Sequence, residues 1–302
     1  MPLSPKSSKR SRYMQASNLE IIKLNNLKLA AKIISEQLKH GVHLGKRVGV
    51  GSEFEQYRYY EPGDDPKRID WKYFSRSGKH MIKESQTESH LQIRMMLDLS
   101  GSMNYEENGI KRLDYAKNLL ASLAYLAHQQ GDSLSYFTCQ DGRVEQKVSA
   151  SPKAFQRMLY FLEEETAAGS WPVSKQVFPV LKSRQKELII LVSDFLQKDN
   201  EWLDIVEQMR HPKKEIVLFQ ILGNQELAFD LKGNFTLQDL ESDRSIILDG
   251  KAIEKTYNDS INNYLSEFKQ SLLIPQVHLF QVRLTDSIAG VISEFLSQRS
   301  LF

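Results

Sequence analysis

The sequence predicts an α/β fold in which helices cover both faces of a mostly parallel β-sheet. After residue 90, short apolar segments alternate with longer amphipathic segments, as in repeated βαβ units. The apolar segments, such as Glu187–Ser193 (ELIILVS), are almost continuously hydrophobic, which is typical of strands buried on both faces. Two of them are followed or ended by an acid, Asp98 and Asp194. We therefore expect both acids at the edge of the sheet where open α/β proteins bind ligands.

The elements are predicted in chain order from hydrophobic periodicity and from capping residues. Residues 17–40 have helical periodicity, with Ser17 or Asn18 as the N-cap and Gly41 at the end, and an irregular stretch follows to residue 89. Strands are predicted over residues 91–97, 133–139, 187–193, 215–222 and 277–284. Helices are predicted over residues 111–130, 152–165, 175–183, 200–210, 251–273 and 287–298, and a β-hairpin over 229–249.

Three parts are expected along the chain. Residues 1–16 form a basic tail without acids, predicted to be disordered, or else to make weak contact with an anionic surface. Residues 17–90 contain the N-terminal helix and the irregular stretch, and residues 91–302 form the sheet domain.

Composition excludes several classes of protein. The 40 basic and 38 acidic residues give a net charge of +2, which does not favour a nucleic-acid partner. The single cysteine, Cys139, rules out an internal disulfide and favours a reducing, cytoplasmic location, and its strand makes it a core thiol. No apolar run approaches the roughly 18 residues that span a bilayer, so at most peripheral membrane contact is expected. Neither a P-loop nor a GxSxG motif occurs.

The segment DLSGS combines one acid with two hydroxyls at alternate positions, directly after a predicted strand. Asp98, Ser100 and Ser102 can converge on one point in the turn that follows. Oxygen ligands of this kind suit a hard cation, Mg²⁺ or Mn²⁺, that keeps waters and leaves a position open. The alternative is a purely structural turn, in which Asp98 caps the next helix and the serines bond the backbone.

A second segment, residues 58–71 (RYYEPGDDPKRIDW), is dense in acids and aromatic residues. Its three neighbouring carboxylates, Asp64, Asp65 and Asp70, allow a catalytic interpretation. Turn chemistry in PGDDP favours a structural staple instead, with Tyr59 and Trp71 as packed anchors and a local ion pair between Arg68 and Asp70. The segment can also act as a partner surface, for which the candidate residues are Arg58, Tyr60, Asp64, Asp65, Arg68 and Trp71.

These motifs resemble a known family. DLSGSM after a strand, with Ser193 and Asp194 ending a later one, resembles the metal-ion-dependent adhesion site of von Willebrand factor A domains. Residues 58–71, together with residues 49–54 (GVGSEF), 83–84 (KE) and 295–299 (FLSQR), resemble the signature of the bacterial domain-of-unknown-function family fifty-eight. The resemblance runs from about residue 20 to the C-terminus and implies a von Willebrand factor A-like, Rossmann-like sheet domain.

The resemblance also implies roles for individual residues. Ser100 and Ser102 would ligate the metal directly, whereas Asp98 and Asp194 would act through bound water or hydrogen bonds. The family pattern adds a threonine from a later loop, but this chain has no Gly-Thr there, so Ser170 or Thr166 must serve.

The function implied is a non-enzymatic, metal-dependent protein-interaction module. An acidic residue of the partner would complete the coordination, and the implied partner is a MoxR-type AAA+ ATPase in protein assembly, maturation or stress response. The alternative is a Mg²⁺-dependent phosphohydrolase with Asp98 as nucleophile. Haloacid-dehalogenase phosphatases need a second aspartate two residues later, where this chain has Ser100.

Overall fold

The computed structural model describes residues 16–42, 56–61, 64–66, 69–84, 91–151, 153–171, 186–197, 201–229, 234–238 and 245–299. The chain divides into two compact units, one of residues 1–45 and 91–302 and the other of residues 46–90. The predicted helix 175–183, residues 49–54 of the family signature and nearly all of the basic tail lie outside the described residues.

The described strands are β1 (Gln56–Tyr59), β2 (Met81–Glu84), β3 (Gln92–Asp98), β4 (Glu106–Glu107), β5 (Ile110–Lys111), β6 (Ser133–Gln140), β7 (Arg143–Ser151), β8 (Glu187–Ser193), β9 (Lys214–Leu222), β10 (Asn234–Gln238), β11 (Ser245–Asp249) and β12 (Val277–Arg283). The described α-helices are α1 (Asn18–Ile22), α2 (Leu27–Val42), α3 (Trp71–Ser77), α4 (Arg112–Gln129), α5 (Ala154–Glu164), α6 (Glu201–Met209), α7 (Asn224–Leu227), α8 (Gly250–Ser271) and α9 (Ile288–Arg299).

A six-stranded sheet forms the centre of the larger unit, in the order β12-β9-β8-β3-β6-β7. All neighbours are parallel except β6 and β7. One apolar core lies against α1, α2, α4, α5 and α9 on one face of the sheet, and a second lies against α6 and α8 on the other. This confirms the predicted α/β fold with a mostly parallel sheet between two helical layers.

The strand β7 was not predicted, because its sequence is polar and its side chains are mostly exposed. It pairs antiparallel with β6 through a two-residue turn at Asp141 and Gly142, with φ values of 46° and 70°. Two positive φ angles in succession define the turn that joins tightly paired strands, and Asp-Gly is a preferred sequence for it. β7 therefore forms the antiparallel edge of the sheet.

The predicted N-terminal helix is two helices, α1 and α2. Ser17 caps α1 in a reciprocal arrangement with Glu20, as the sequence indicates. Asn25 then takes a φ of 48°, a left-handed conformation that interrupts the helical path. Both helices bury apolar residues against α4, including Ile21 and Ile34. They consequently belong to the same unit as the sheet, whereas the sequence division placed them with the irregular stretch.

The smaller unit contains an antiparallel pair, β1 and β2, and the short helix α3. Asp70 caps α3, since its carboxylate accepts hydrogen bonds of 3.0 Å from the backbone N–H groups of Lys72 and Tyr73. The Asp64 carboxylate accepts a 3.0 Å bond from the backbone of Glu61 and so stabilises the turn before the helix. Both carboxylates have the structural roles that turn chemistry predicts.

Tyr59 and Trp71 are not buried within the smaller unit. Their exposed fractions are 59% and 56%, although Trp71 contacts neighbouring rings. Their expected packing against the sheet domain stays a prediction. The predicted ion pair with Asp70 involves Arg68, which lies outside the described residues. Cys139, in contrast, is fully buried as predicted, and burial raises the pKa of its thiol. Among the helices in the described part of the chain, none has the length and apolarity needed to cross a membrane.

Candidate metal centre

The two predicted acids lie at the same edge of the sheet. β3 and β8 are parallel neighbours, Asp98 is the last residue of β3, and Asp194 directly follows β8. Both residues have no exposed surface. Because a buried carboxylate is unfavourable without hydrogen bonds or a counter-charge, the partners of each acid determine what this edge can bind.

Asp98 accepts hydrogen bonds at both carboxylate oxygens. Oδ1 accepts a 2.7 Å bond from the backbone N–H of Ser100, and Oδ2 accepts a 2.7 Å bond from the hydroxyl of Ser193. The first bond is the turn contact that the structural alternative predicts. The second ties the end of β3 to the end of β8. No lysine, arginine or histidine within the described ranges contacts this carboxylate.

The two serines of DLSGS have adjacent hydroxyls. Ser100 Oγ and Ser102 Oγ are 3.1 Å apart and share a hydrogen bond. Neighbouring ligands of an octahedral Mg²⁺ ion, each about 2.0–2.1 Å from the metal, are separated by about 2.9 Å. The hydroxyl pair therefore has the separation of two adjacent magnesium ligands, and the oxygen-only donor set fits a hard cation.

The charge at this edge is unbalanced in a way that a cation would correct. Burial, together with the nearby carboxylate of Asp194, raises the pKa of Asp98 to about 7. An acid with so high a pKa is one whose ionised form the apo site stabilises poorly. A divalent cation at the serine hydroxyls would favour the carboxylate form, so the electrostatics and the donor geometry agree.

Asp194 has a counter-charge within the protein. The guanidinium of Arg112, at the start of α4, donates to Asp194 Oδ2, to the carboxylate of Glu226 and, over 2.9 Å, to the backbone carbonyl of Ser102. Arg112 is 1% exposed, and its Cζ lies 4.8 Å from the centre of the Tyr105 ring. Burial alone would lower the pKa of Arg112, but Asp194 and Glu226 raise it, so the guanidinium stays charged. Asp194 thus has a cation as its partner, shared with Glu226, whereas the partners of Asp98 are neutral hydrogen-bond donors.

The loop after β8 is held in an unusual conformation. Phe195 has a φ of 52°, which is unfavourable for a large side chain. Its carbonyl accepts a hydrogen bond from the hydroxyl of Tyr264, and the carbonyl of Asp194 accepts a 2.9 Å bond from the Gln220 amide. These bonds, with the ring of Phe195 fully buried, keep the Asp194 carboxylate directed to the edge of the sheet.

The loop expected to supply a third hydroxyl lies next to DLSGS. Gly101 N–H donates to the carbonyl of Gly169 over 2.9 Å, and Asn104 donates to the carbonyl of Ala167 over 2.8 Å. Ser170 and Thr166 are both exposed, and neither hydroxyl makes a hydrogen bond to the DLSGS serines. The backbone of Ser170 instead pairs with Asp141. The structure brings the loop to the site, and the choice of hydroxyl stays a prediction.

Three residues of the site were not predicted: Ser193 as a partner of Asp98, and Arg112 with Glu226 as partners of Asp194. Ser193 precedes the predicted acid, but its bond depends on the pairing of β3 with β8. The position of Arg112 could have indicated a role in the site, because a cation in the first turn of a helix is unfavourable next to the positive end of the helix dipole. Such a residue needs acidic partners from other parts of the chain, and the sequence does not identify them.

The candidate partner surface of the sequence analysis lies in the smaller unit. Tyr60 and Asp64 are half-buried, and Asp65 and Trp71 are exposed. The side chains of Arg58 and Arg68 lie outside the described residues. No cluster of three or more histidine, cysteine, aspartate or glutamate side chains suited to a metal occurs among the residues that were searched, which are the described ones.

Residues 56–263 match the family described as "Protein of unknown function DUF58", and the chain belongs to this family. Its relatives include "Uncharacterized protein Rv1480" of Mycobacterium tuberculosis and "Uncharacterized protein Mb1516" of Mycobacterium bovis. Each is 23% identical over 224 residues, covering 72% of this chain and 70% of the relative. The match confirms the family that the sequence motifs resemble.

Solved structures similar to this chain include BatB from Bacteroides thetaiotaomicron, at a TM-score of 0.41 and 14% identity, covering 70% of this chain and 100% of that one. The VWA domain of SpRpn10 is similar at a TM-score of 0.40 and 9% identity, covering 67% of this chain and 93% of that one. These are likenesses of fold, and the chemistry of the site depends on the residues described above.

Proposed function

We propose that this chain is a non-enzymatic protein-interaction module whose metal centre binds a carboxylate of its partner. One observation carries the proposal: two serine hydroxyls spaced like magnesium ligands lie beside Asp98, a buried carboxylate that no described cation contacts. The resemblance of DLSGSM, Ser193 and Asp194 to the adhesion site of von Willebrand factor A domains supports an interaction role.

The proposed cation is Mg²⁺, with Mn²⁺ as a substitute. Ser100 and Ser102 would hold it directly, and Ser170 or Thr166 would supply a further hydroxyl. Asp98 and Asp194 would compensate its charge through water or hydrogen bonds. When bound, the ion supplies a positive charge with an open position, which an aspartate or glutamate of the partner can fill.

The proposed partner is a MoxR-type AAA+ ATPase. This chain would serve as its adaptor in protein assembly, maturation or stress response. This identity comes from the family resemblance, and the residues of the site support only an acidic anchor. A cytoplasmic location is part of the proposal, because the chain has one cysteine and that thiol is buried in the core.

The phosphohydrolase alternative has less support. An Asp98 nucleophile would need a free carboxylate oxygen facing the substrate, but both oxygens accept hydrogen bonds and the residue has no exposed surface. The raised pKa of Asp98, about 7, further reduces its ionised fraction near neutral pH in the absence of metal. We therefore propose that the chain is not an enzyme.

The test has two steps. Calorimetry with Mg²⁺ and Mn²⁺ should detect binding to the wild type and its loss in the double variant Ser100→Ala/Ser102→Ala, whereas Ser149→Ala, an exposed serine on β7, should bind normally. Interferometry against the MoxR-type ATPase of the same organism, with ATP, should then show binding that a chelator abolishes. Chelator-insensitive binding that the double variant retains would refute the proposed site.

A further inference from the structure

Residues 71–80 (WKYFSRSGKH) of the smaller unit combine aromatic rings with cations and contain no acid. The rings of Trp71 and Phe74 meet edge to face at 5.9 Å, and those of Phe74 and His80 lie 4.3 Å apart. Trp71 keeps 56% of its surface exposed within this cluster. Contact between the rings fixes their orientation, so an aromatic surface is already formed before any partner binds.

Three permanent cations lie in the same ten residues as these rings. Lys72, Arg76 and Lys79 are all exposed. The acid closest in sequence, Asp70, uses its carboxylate to cap α3. The tight turn at Gly78, with a φ of 67°, ends the helix and places Lys79 and His80 directly before β2.

We propose that this aromatic-basic surface binds an acidic segment of a protein. The surface is defined by Trp71, Lys72, Phe74, Arg76, Lys79 and His80. Carboxylates of the bound segment would pair with the three cations. The methylene groups of its acidic side chains would pack on the exposed face of Trp71. The proposal does not depend on the metal centre, so it concerns a second mode of interaction.

The charges of the unit favour a short acidic segment over a polyanion. The backbone N–H of Tyr60 donates to the carbonyl of His80 over 3.0 Å, so the exposed acid Glu61 follows a residue that adjoins the surface. A nucleic-acid backbone or an anionic lipid surface carries charge continuously and would be repelled by this acid. A peptide with a few carboxylates can pair with the cations without placing a carboxylate beside Glu61. Charge complementarity therefore selects a protein segment as the occupant.

The tryptophans provide a direct measurement. The chain has three, and Trp171 and Trp202 are only 4% and 2% exposed, so collisional quenching of fluorescence reports on Trp71. Iodide, an anion, should quench Trp71 more strongly than caesium does, because three exposed cations lie within eight residues of Trp71 in the chain. Adding an acetylated hexaglutamate peptide should reduce iodide quenching in a saturable way. Hexalysine should have no effect.

Affinity is then measured by the anisotropy of fluorescein-labelled hexaglutamate, at 50 mM and 300 mM salt and with a chelator. The triple variant Lys72→Glu/Arg76→Glu/Lys79→Glu should weaken binding at least tenfold. The matched variant Lys153→Glu/Arg157→Glu/Lys255→Glu, which changes three exposed cations of the larger unit, should bind like the wild type. Trp71→Ala should weaken binding about threefold, and Trp71→Phe should retain most of it because a ring remains.

Several results would overturn the proposal. These are the absence of saturable peptide binding, equal loss in both triple variants, and tighter binding of oligothymidylate or phosphatidylserine vesicles through the same residues. Binding that persists with the chelator is expected. Binding that requires Mg²⁺ would assign the peptide to the metal centre and refute the aromatic-basic surface, so the two proposals fail separately.

Discussion

Replacing Asp98 by asparagine should stabilise the metal-free protein at high pH while abolishing its response to Mg²⁺. The change keeps the shape of the side chain and its acceptor for the Ser100 N–H but removes the negative charge. Asp98 has a usual pKa of 3.8, raised to about 7 in the folded protein by burial and by Asp194. Folding therefore favours the protonated form, and the stability associated with this group is lost as pH rises toward 7.

The expected change in the free energy of unfolding depends on the pH interval over which it is measured. Between pH 5.5 and pH 8.0, roughly 1.5 pH units lie below the folded pKa of about 7, where Asp98 goes from protonated to ionised on unfolding. At about 1.4 kcal/mol per unit, this interval corresponds to about 2 kcal/mol. For a domain of this size, about 2 kcal/mol moves the melting temperature by roughly 4–8 °C. Comparing the two pH values within each protein cancels any pH-independent effect of the asparagine on packing.

Thermal unfolding is measured with a chelator at both pH values, for the wild type and Asp98→Asn. Between pH 5.5 and 8.0, the melting temperature of the wild type should fall by roughly 4–8 °C more than that of Asp98→Asn. Adding Mg²⁺ at pH 8.0 should raise the melting temperature of the wild type but not that of Asp98→Asn. The matched control Asp204→Asn, an exposed acid on α6, should follow the wild type in both respects. Parallel pH profiles for the wild type and Asp98→Asn would refute the argument that Asp98 is an uncompensated buried charge.

Two further substitutions test the sheet and the loop beside the site. Glu187 lies 3.5 Å from both Arg94 and Lys214, and all three are buried, so Glu187→Gln should lower the free energy of unfolding by about 3–5 kcal/mol in urea titrations. Gly169 has a φ of 72°, and a Cβ there would lie 1.8 Å from the Asp141 carboxylate. Gly169→Ala should therefore destabilise the protein by more than about 1 kcal/mol and weaken Mg²⁺ binding, measured by calorimetry.

Each substitution has a matched control in the same chain. Glu215 pairs with Arg299 at 3.2 Å, but both side chains are partly exposed, so Glu215→Gln should change stability by at most about 1 kcal/mol. Gly290 lies within α9 with no left-handed φ, and the nearest atom to an added Cβ is 3.7 Å away. Gly290→Ala should be neutral or stabilising. Similar losses in test and control variants would show that burial and φ do not determine these effects.

The sequence predicts the sheet well because strands buried on both faces carry a strong local signal. Glu187–Ser193 is fully buried along its length, and its prediction needs no knowledge of its neighbours. β7 shows the opposite case, since an exposed edge strand has no apolar run. The informative signal was the Asp141–Gly142 turn, whose two positive φ angles are those of a tight hairpin. The break at Asn25 has a similar origin, because a single left-handed residue divides an otherwise continuous helical pattern.

The site was predictable to the extent that its residues are close in sequence. Asp98, Ser100 and Ser102 follow one strand, so their convergence depends only on a local turn. The exposure of Trp71 was not predictable in this way, since an aromatic residue after a turn rich in proline, glycine and aspartate is as compatible with packing as with exposure to solvent. The bond from Ser193 to Asp98 depends on strand order, and so does the contact between Arg112 and Asp194.

The two acids at this edge of the sheet differ in one respect that matters for function. Asp194 has a permanent cation, Arg112, which also bonds the carbonyl of Ser102 and the carboxylate of Glu226. This cation orients the Asp194 carboxylate and joins the loops that follow β3, β8 and β9. Asp98 has only neutral hydrogen-bond donors. If both acids had a cation as partner, a metal would add little stability, and if neither had one, the metal-free protein would be destabilised. We therefore expect a folded metal-free protein that would gain free energy from the proposed binding of a divalent ion beside Asp98.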